Sequence, residues 1–391
     1  MDKLKILMGD DAYFPDADGV AVCMHNYLVY LNEMGHHAVA AVPKNKKGTI
    51  DNYPYKVFRF KSIKVPFWGS YYGGPHRDKK LKDYVYTSDF DIIHIHAPFN
   101  ICKFGYKASR DKNIPMIATF HTNFRPIFKK IVGKHLAERL VKNIGKRYNR
   151  LHEVFVCSEP VAEQLRSFGY TGKITYLTYG SNISKNPDAV NLKNAAIEKY
   201  GITSDDLIFI HVGRVMKLKR IDFVLEALKK VKEQGLKFKF LIAGEGMDKK
   251  YYQRYCNKLG LNDCVIFTGF ITKEELTLLY SRANLLLFPS LYDNFGLVKV
   301  EAAAYSTPGL YIRGSNTAHG AEDNKNCFLS SNNVQEYAEK IMEAVSDKAK
   351  LKQIGIYASD TLYIHWKDTV LELEQHYKRI ISEYKALHSK N

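Results

Sequence analysis

The sequence predicts an α/β protein made of two doubly wound, Rossmann-like domains. Three observations carry this. Short apolar runs alternate with helix-period patterns in β-α-β order, which requires parallel sheets covered by helices on both faces. The alternation occurs twice, restarting near residue 207 after Gly180–Asn194, a stretch rich in Ser, Asn and Pro. The chain has 391 residues, 46% of them hydrophobic, enough for two sizeable cores.

In the first half, Leu4–Met8 is an uninterrupted apolar run and reads as a buried strand. A turn-rich loop follows, then a helical pattern over about Val20–Met34 that Gly35 ends. Ala38–Val42, Asp91–Ile95, Pro115–Phe120, Val154–Cys157 and Ile174–Leu177 are the further strands. The second half orders Leu207–Val212, helix Ile221–Glu233, Lys239–Ala243, helix Lys249–Leu259, Val265–Thr268, helix Glu274–Ser281 and Leu285–Pro289. Gly213, Gly244 and Gly269 each follow a strand. A long amphipathic helix over about Thr369–Leu387 is expected to cross back to the first domain. The expected domains are 1–185 with about 369–391, and 195–368. Such sheets bind ligands beyond their strand C-termini, so the two should face a common cleft.

Charge is uneven. The net charge is +17. Residues 1–180 carry 28 Lys and Arg against 16 Asp and Glu, and residues 101–150 carry 13 against 2. A localised basic excess points to an anionic partner: nucleic acid, an anionic membrane or a phosphorylated substrate. The plainer reading is a solvated basic face. The six cysteines are scattered, with no C-x-x-C spacing and no zinc-finger spacing, and read as reduced thiols of a cytosolic protein. The opening M-D-K-L-K-I-L-M-G-D-D reads as a strand, not a signal peptide. No run approaches the length of a transmembrane helix.

Four segments carry chemistry. In Phe288–Pro308, Asp293 lies in a loop and Phe295-Gly296 turn the chain into a helix near Leu297, with Glu301 about one turn inside. Backbone amides at Gly296, Leu297 and Val298 are placed for phosphate. The carboxylates of Asp293 and Glu301 suit sugar hydroxyls and a ribose diol. In Val212–Asp222, the cations Arg214, Lys217, Lys219 and Arg220 crowd a strand end, as a leaving pyrophosphate needs. Each also has a bland reading, a charge-stabilised helix start and an ordinary basic turn. In Gly9–Val20, Gly19 before a helix permits close backbone approach to a phosphate, although G-x-G-x-x-G is absent. In Ala118–Asn123, His121 ends an apolar strand; a lone histidine is more often a structural hydrogen-bonder. His94 and His96 alternate on one strand and face the same way.

Together these marks resemble GT-B glycosyltransferases of the retaining family 4, which includes bacterial glycolipid and teichoic-acid enzymes. The pattern is similar to that of bacterial diacylglycerol glucosyltransferases. The matching marks are Gly19, H-I-H-A-P at 94–98, T-F-H-T at 119–122 and G-R-x-x-x-x-K at 213–219. They continue with G-E-G at 244–246, F-T-G-F at 267–270 and the acids 293 and 301 of E-x7-E. The resemblance implies that Gly19, Arg214, Lys219 and the amides of Leu297 and Val298 hold a donor pyrophosphate. It implies that Glu301 binds the ribose and the backbone around Phe270 reads the base. Asp293, Asn294, Phe295 and Gly296 would contact the donor sugar, and His121 would sit beside the reacting centre and the acceptor. The first acid is Asp293 where the family usually has Glu, which leaves the donor sugar open.

The resemblance implies retention of anomeric configuration, through an oxocarbenium-like transition state. No cofactor is expected: the UDP-sugar, with UDP-glucose preferred, is a substrate. Two D-x-D strings, Asp16–Asp18 and Asp89–Asp91, lie away from where a metal-diphosphate clamp is needed, so no essential metal is expected. The segment after His121 suggests the acceptor. Phe124, Arg125, Phe128, Lys129 and Lys130 interleave aromatic and basic residues, and Lys134 follows. Leu136, Leu140, Ile144, Tyr148 and Leu151 then share one helical face, with Arg139, Lys142, Lys146 and Arg150 opposite. Such a helix can lie on an anionic membrane. The expectation is a peripheral hexosyltransferase on the inner face of the cell membrane, acting on a lipid such as diacylglycerol. Alternatives are a soluble, polysaccharide or teichoic-acid acceptor, a phosphorylase or synthase of the same fold, and a nucleic-acid-binding protein. The last leaves the 293/301 acids unexplained, and no nucleic-acid partner is expected. A dehydrogenase lacks its phosphate fingerprint.

Overall fold

A strand buried on both faces needs apolar side chains at consecutive positions, and the central strands here have them. The computed structural model describes residues 3–14, 19–44, 51–64, 71–185, 192, 194 and 199–388. The chain divides into two units, Met1–Tyr179 with Trp366–Asn391, and Gly180–His365.

The first unit runs β1 (Lys5–Gly9), α1 (Gly19–Glu33), β2 (His37–Pro43), β3 (Val57–Phe60), β4 (Ser62–Lys64), β5 (Tyr71–Gly73), α2 (Lys79–Thr87), β6 (Ile92–Ile95), α3 (Asn100–Lys112) and β7 (Met116–Thr119). It continues with α4 (Phe124–Val132), α5 (Lys134–Tyr148), β8 (Glu153–Val156), α6 (Glu159–Arg166) and β9 (Lys173–Tyr176). Its seven-stranded sheet has the order β3-β2-β1-β6-β7-β8-β9, and every pairing is parallel. β4 and β5 form a separate antiparallel pair.

The second unit runs β10 (Ile208–Val212), α7 (Ile221–Glu233), β11 (Lys239–Ala243), α8 (Lys249–Leu259), β12 (Val265–Gly269), α9 (Lys273–Arg282) and β13 (Leu285–Phe288). Then come α10 (Leu297–Ala303), β14 (Gly309–Ile312), β15 (Phe328–Ser330), α11 (Val334–Ser346) and α12 (Lys348–Thr361). Its six strands, all parallel, have the order β12-β11-β10-β13-β14-β15. One helical layer packs Val224, Leu228, Tyr252, Tyr337 and Ile341 on one sheet face, and Tyr280 and Ala302 lie in the cluster on the other.

The last helix, α13 (Trp366–His388), belongs to the first unit. Trp366 is buried beside Tyr27 and Tyr179, at ring distances of 5.7 and 6.1 Å. Further along, Glu374 pairs with His36 at 3.1 Å, and Arg379 with the buried Glu153 at 2.6 Å. These buried polar ties hold the helix in register on the sheet, since a buried carboxylate without a partner is strongly unfavourable.

In each sheet the strand order reverses once, between β1 and β6 and between β10 and β13. Loops leaving the strand C-termini diverge there and leave a crevice. The short edge strand β3, the β4–β5 pair and strands β14 and β15 are additions to the sequence reading. The expected link Gly180–Asn194 falls partly outside the described residues; within it, Ser181 bridges His365.

Candidate functional site

In the second unit the loops after β10 and β13 leave neighbouring strands, which brings together residues 74 apart in sequence. Lys219 Nζ donates to both Asp293 carboxylate oxygens, at 2.6 and 2.9 Å. The same ammonium lies 5.5 Å from the Phe288 ring centre. Ser290 Oγ accepts the amides of Tyr292 and Asp293, each at 3.4 Å, and so shapes the loop. Burial alone would raise the Asp293 pKa. The Lys219 charge and hydrogen bonds, with Ser290, outweigh it and hold the carboxyl below its ordinary value. His211, fully buried below, donates from Nδ1 to the Leu287 carbonyl at 3.0 Å. Burial pushes its pKa down to about 4, so it is neutral at pH near 7.

Gly296 ends this loop with φ 74° and caps α10 without a side-chain bond. A Cβ there would stand 3.1 Å from Thr317 and 3.2 Å from Phe288, tight contacts that add to the strain of the positive φ and favour glycine. The Leu297 and Val298 amides consequently open α10 with no side-chain cap. Asn294 is buried and accepts from Asn316 at 3.2 Å. Lys299, also buried, donates to the Thr317 and His319 carbonyls at 3.0 and 2.7 Å, fastening the 315–319 loop over the helix start. Glu301 accepts from the Tyr280 hydroxyl at 2.9 Å. Burial raises the Glu301 pKa, with Tyr280 and Lys273 opposing.

The four cations after β10 divide. Arg220 adopts φ 56°, donates to the Pro289 carbonyl at 3.1 Å and to Asn332 at 2.6 Å, and stacks on Phe223. It braces the loop and is not available to a ligand. Lys217 points to solvent over the Tyr251 ring at 5.0 Å. Arg214 is exposed, with no side-chain partner among the described residues. Close packing of strand ends is visible at Gly244, where a Cβ would lie 2.0 Å from the Gly213 carbonyl oxygen. Phe270, just past β12, is 82% exposed.

In the first unit the strand ends carry a polar chain. His94 bonds Tyr377 at 2.6 Å and Thr119 at 2.7 Å. It stacks on His96 at 4.4 Å. His96 Nδ1 meets His121 Nε2 at 2.8 Å, and His121 Nδ1 meets the Tyr179 hydroxyl at 2.8 Å. Burial keeps all three imidazoles neutral and lowers the His121 pKa to about 3. Cys23, His96 and His121 offer three ligand atoms within 4.8 Å of one another. Both His121 nitrogens are engaged with His96 and Tyr179, which makes the histidines a hydrogen-bonded chain. Gly19 opens α1 with nothing within 4 Å of a notional Cβ. Asp16 and Asp18 lie outside the described residues. Asp91 accepts the Lys5 amide at 2.8 Å, at the opposite edge of the sheet, where the strands begin.

Asp11 lies buried just beyond β1 and accepts the Ile101 amide at 3.3 and 3.4 Å. Burial pushes its pKa up to about 7, against backbone bonds from Ile101, Phe99 and Asn100 and the Arg147 charge. A folded pKa above the unfolded one means its stabilising contribution is full below about pH 4 and is lost as pH rises through about 7. Asp11→Asn keeps an acceptor oxygen and cannot ionise. Its Tm relative to wild type should therefore climb by several degrees between about pH 5 and about pH 8. A pH-independent difference in thermal melts would refute this.

Comparison with known proteins fits this arrangement. Residues 17–184 match the sequence profile "Glycosyltransferase Family 4", and residues 193–361 match "Glycosyl transferases group 1". The chain is a GT-B glycosyltransferase. Two relatives carry the name Alpha-monoglucosyldiacylglycerol synthase. That of Acholeplasma laidlawii is 25% identical over 84% of this chain and 85% of its own. That of Streptococcus pneumoniae is 28% identical over 78% and 70%. The Anabaena protein HepE, solved in complex with UDP and glucose, aligns with a TM-score of 0.76 at 18% identity. That alignment covers 96% of this chain and 100% of HepE, a likeness of fold. The hexosyltransferase class expected from sequence stands on these matches.

The basic segment of this glycosyltransferase departs from the sequence reading. Phe124 and Phe128 are buried, their rings stacked at 5.7 Å, and are not surface residues. Arg125 pairs with Glu138 at 3.1 Å and caps the Phe168 ring, so it too faces the body of the unit. Gly133 separates α4 from α5. The buried face of α5 is Ala137, Val141, Ile144, Gly145 and Tyr148, and Leu136 is 45% exposed. One reason is a close approach: a Cβ at Gly145 would lie 2.1 Å from the Phe168 carbonyl oxygen, so glycine is needed where α5 passes the turn after α6, and the buried face follows Gly145 instead of Leu136. Ile131 at 61%, Val132 at 37% and Leu136 thus form an apolar tip at the α4–α5 junction. Lys129, Lys130, Lys134, Arg139, Lys142 and Lys146 are exposed along the same helices. Sequence reasoning missed Tyr179, Tyr280, Ser290 and Lys299; the tyrosines and the lysine sit in helical or loop patterns that read equally well as ordinary core or surface.

Proposed function

We propose that this glycosyltransferase moves glucose from UDP-glucose to diacylglycerol, or a closely related lipid acceptor, at an anionic membrane surface, with retention of configuration. The names of the two relatives support the donor sugar and acceptor class. The observation that carries the lipid reading is the exposed tip Ile131, Val132 and Leu136 set among lysines. Apolar side chains that dip into the interface, with cations at headgroup level, are what surface docking needs. No helix among the described residues is long and apolar enough to cross a membrane, so binding would be peripheral, and the expected face is the cytoplasmic one.

In this reading Lys219 and Arg214 neutralise the charge that develops on the leaving diphosphate. The uncapped Leu297 and Val298 amides donate to the same group. Glu301 takes the ribose hydroxyls, and Phe270 offers an exposed ring and backbone to the base. Asp293 and Asn294 hold hydroxyls of the donor sugar, each steadied by Lys219 and Asn316 respectively. The neutral His121, fixed by His96 and Tyr179, lines the acceptor side. Its low basicity argues against proton abstraction by its ring from a hydroxyl in the ground state. Attack then fits an oxocarbenium-like transition state in which the departing diphosphate receives the acceptor proton.

The test is a donor panel followed by nucleotide release, with diacylglycerol in phosphatidylglycerol or in phosphatidylcholine vesicles. UDP-glucose should be preferred, anionic vesicles should raise the rate, and the product should be the α-glucoside. Equal rates in both lipids, or a β-linked product, would defeat the reading. Metal-independent catalysis is part of it: activity should persist in excess chelator. Loss of activity that manganese restores would overturn that part.

A further inference from the structure

We infer that Tyr280 is a positioning residue for donor recognition: its hydroxyl aims the Glu301 carboxylate at the ribose of the nucleotide and so decides discrimination against 2′-deoxyribose. The inference rests on the reading of Glu301 as the ribose contact.

Tyr280 lies in the last turn of α9 and is fully buried. A phenylalanine would fill the same volume, and burying a hydroxyl is unfavourable unless it finds a partner. Among the described residues the partner of this hydroxyl is Glu301 Oε2, at 2.9 Å. The other end of the residue is tied as well. The Tyr280 carbonyl accepts from Thr307 Oγ1 at 2.7 Å, and Thr307 follows α10 with its amide bonded to the Ala302 carbonyl at 3.0 Å. Tyr280 is therefore clamped to the Glu301 segment at two points, one on each side of its ring.

The geometry matters because glutamate is flexible. Its side chain has many rotamers to lose when it binds a diol. A rigid phenol, with only two torsions of its own, removes that freedom before the nucleotide arrives, which is preorganisation. The hydroxyl occupies one lone pair of Oε2. Among the described residues Tyr280 is the hydrogen-bond partner of this carboxylate, so the remaining acceptor capacity, including Oε1, is open to two vicinal hydroxyls. Loss of the 2′-hydroxyl then leaves a fixed, half-buried acceptor unsatisfied. A loose Glu301 would instead swing to water and hardly notice the difference.

The experiment measures UDP and 2′-deoxy-UDP binding to the full-length protein by titration calorimetry, for wild type, Tyr280→Phe and Glu301→Gln. Wild type should favour UDP by on the order of 10–100-fold, the range for a hydrogen bond to a charged group. Both variants should shrink that ratio to within about threefold of unity, with 2′-deoxy-UDP affinity changing much less than UDP affinity. If Glu301→Gln collapses the ratio and Tyr280→Phe keeps it, the role of Tyr280 is overturned while the ribose reading survives. If Tyr280→Phe weakens both ligands equally, the role is merely structural and the inference fails. If neither variant changes the ratio, the ribose reading of Glu301 fails and takes the inference with it. Should Tyr280→Phe not fold, site-specific 3-fluorotyrosine at 280 strengthens the donor without changing the shape. The ratio should then shift from wild type, and an unchanged ratio overturns the inference.

Discussion

Lys219→Ala is expected to lower turnover by on the order of 10²–10³, the usual effect of deleting one preorganised donor aimed at developing transition-state charge. The structure explains why no neighbour substitutes for it. Arg220 is committed to the Pro289 carbonyl and Asn332, and Lys217 lies over Tyr251. Only the exposed Arg214 remains of the four cations after β10. A second effect follows from the pair with Asp293. Lys219 holds that carboxyl below its ordinary pKa despite burial. The pair thus contributes stability that is present above the unfolded carboxylate pKa and is lost as pH falls through the depressed folded value. Lys219→Ala should remove this contribution, about 1–2 kcal/mol after allowing for the partial exposure of both groups. Lys219→Arg keeps the charge but not the compact ammonium that fits between both oxygens, and should recover turnover only in part. Steady-state release of UDP at saturating donor decides the matter. A Lys219→Ala turnover within about threefold of wild type would exclude the proposed role.

Replacing Lys129, Lys130 and Lys134 together with glutamine is expected to weaken binding to phosphatidylglycerol vesicles by on the order of 100-fold. Each lysine near an anionic surface contributes about 1 kcal/mol, and three lost together approach that factor. Folding should be little affected. All three are exposed, and the Lys129 pair with Glu138, at 3.6 Å, is a surface pair of small net value. The apolar tip gives an independent arm. Ile131→Ser with Leu136→Ser should weaken binding even at about 0.5 M salt, where the lysine contribution is largely screened. UDP affinity in the absence of vesicles should be unchanged in both variants. Co-sedimentation reads the effect. If the glutamine variant partitions like wild type, the basic tip does not dock the membrane.

The parts of the fold legible in the sequence were those with a local signature. The bounds of α7, β11 and α8 were read as they stand, because an apolar run or stripe is closed on each side by glycine or a polar turn. The strand-end glycines were equally plain. The opening of α10 at Leu297 after Gly296 was legible too, since only glycine tolerates that turn. β3, β4, β5, β14 and β15, each three or four residues long, were missed. The helical face of the basic segment was legible only in part: Ile144, Tyr148 and Leu151 are buried and Arg139, Lys142, Lys146 and Arg150 exposed as expected, but Leu136 is exposed and Leu140 only partly buried. Large apolar residues dominate any count of helical faces, whereas the interior face of α5 also takes in Ala137, Val141 and Gly145, the last small enough to let the helix approach the Phe168 carbonyl.

The sequence by itself determined the two α/β units, the residue types at their strand ends and the family to which they belong. Those properties are written in short-range patterns of hydrophobicity and turn chemistry. Tertiary structure alone decided which of those residues act together. Lys219 meets Asp293 because β10 pairs with β13, an adjacency no local pattern encodes. Arg220 is withdrawn from the cation cluster by a carbonyl 69 residues away. Tyr280 finds Glu301 only once α9 and α10 lie on the same face of the sheet. Strand order and helix packing follow from the global burial of apolar surface, which fixes long-range neighbours without marking them in the chain.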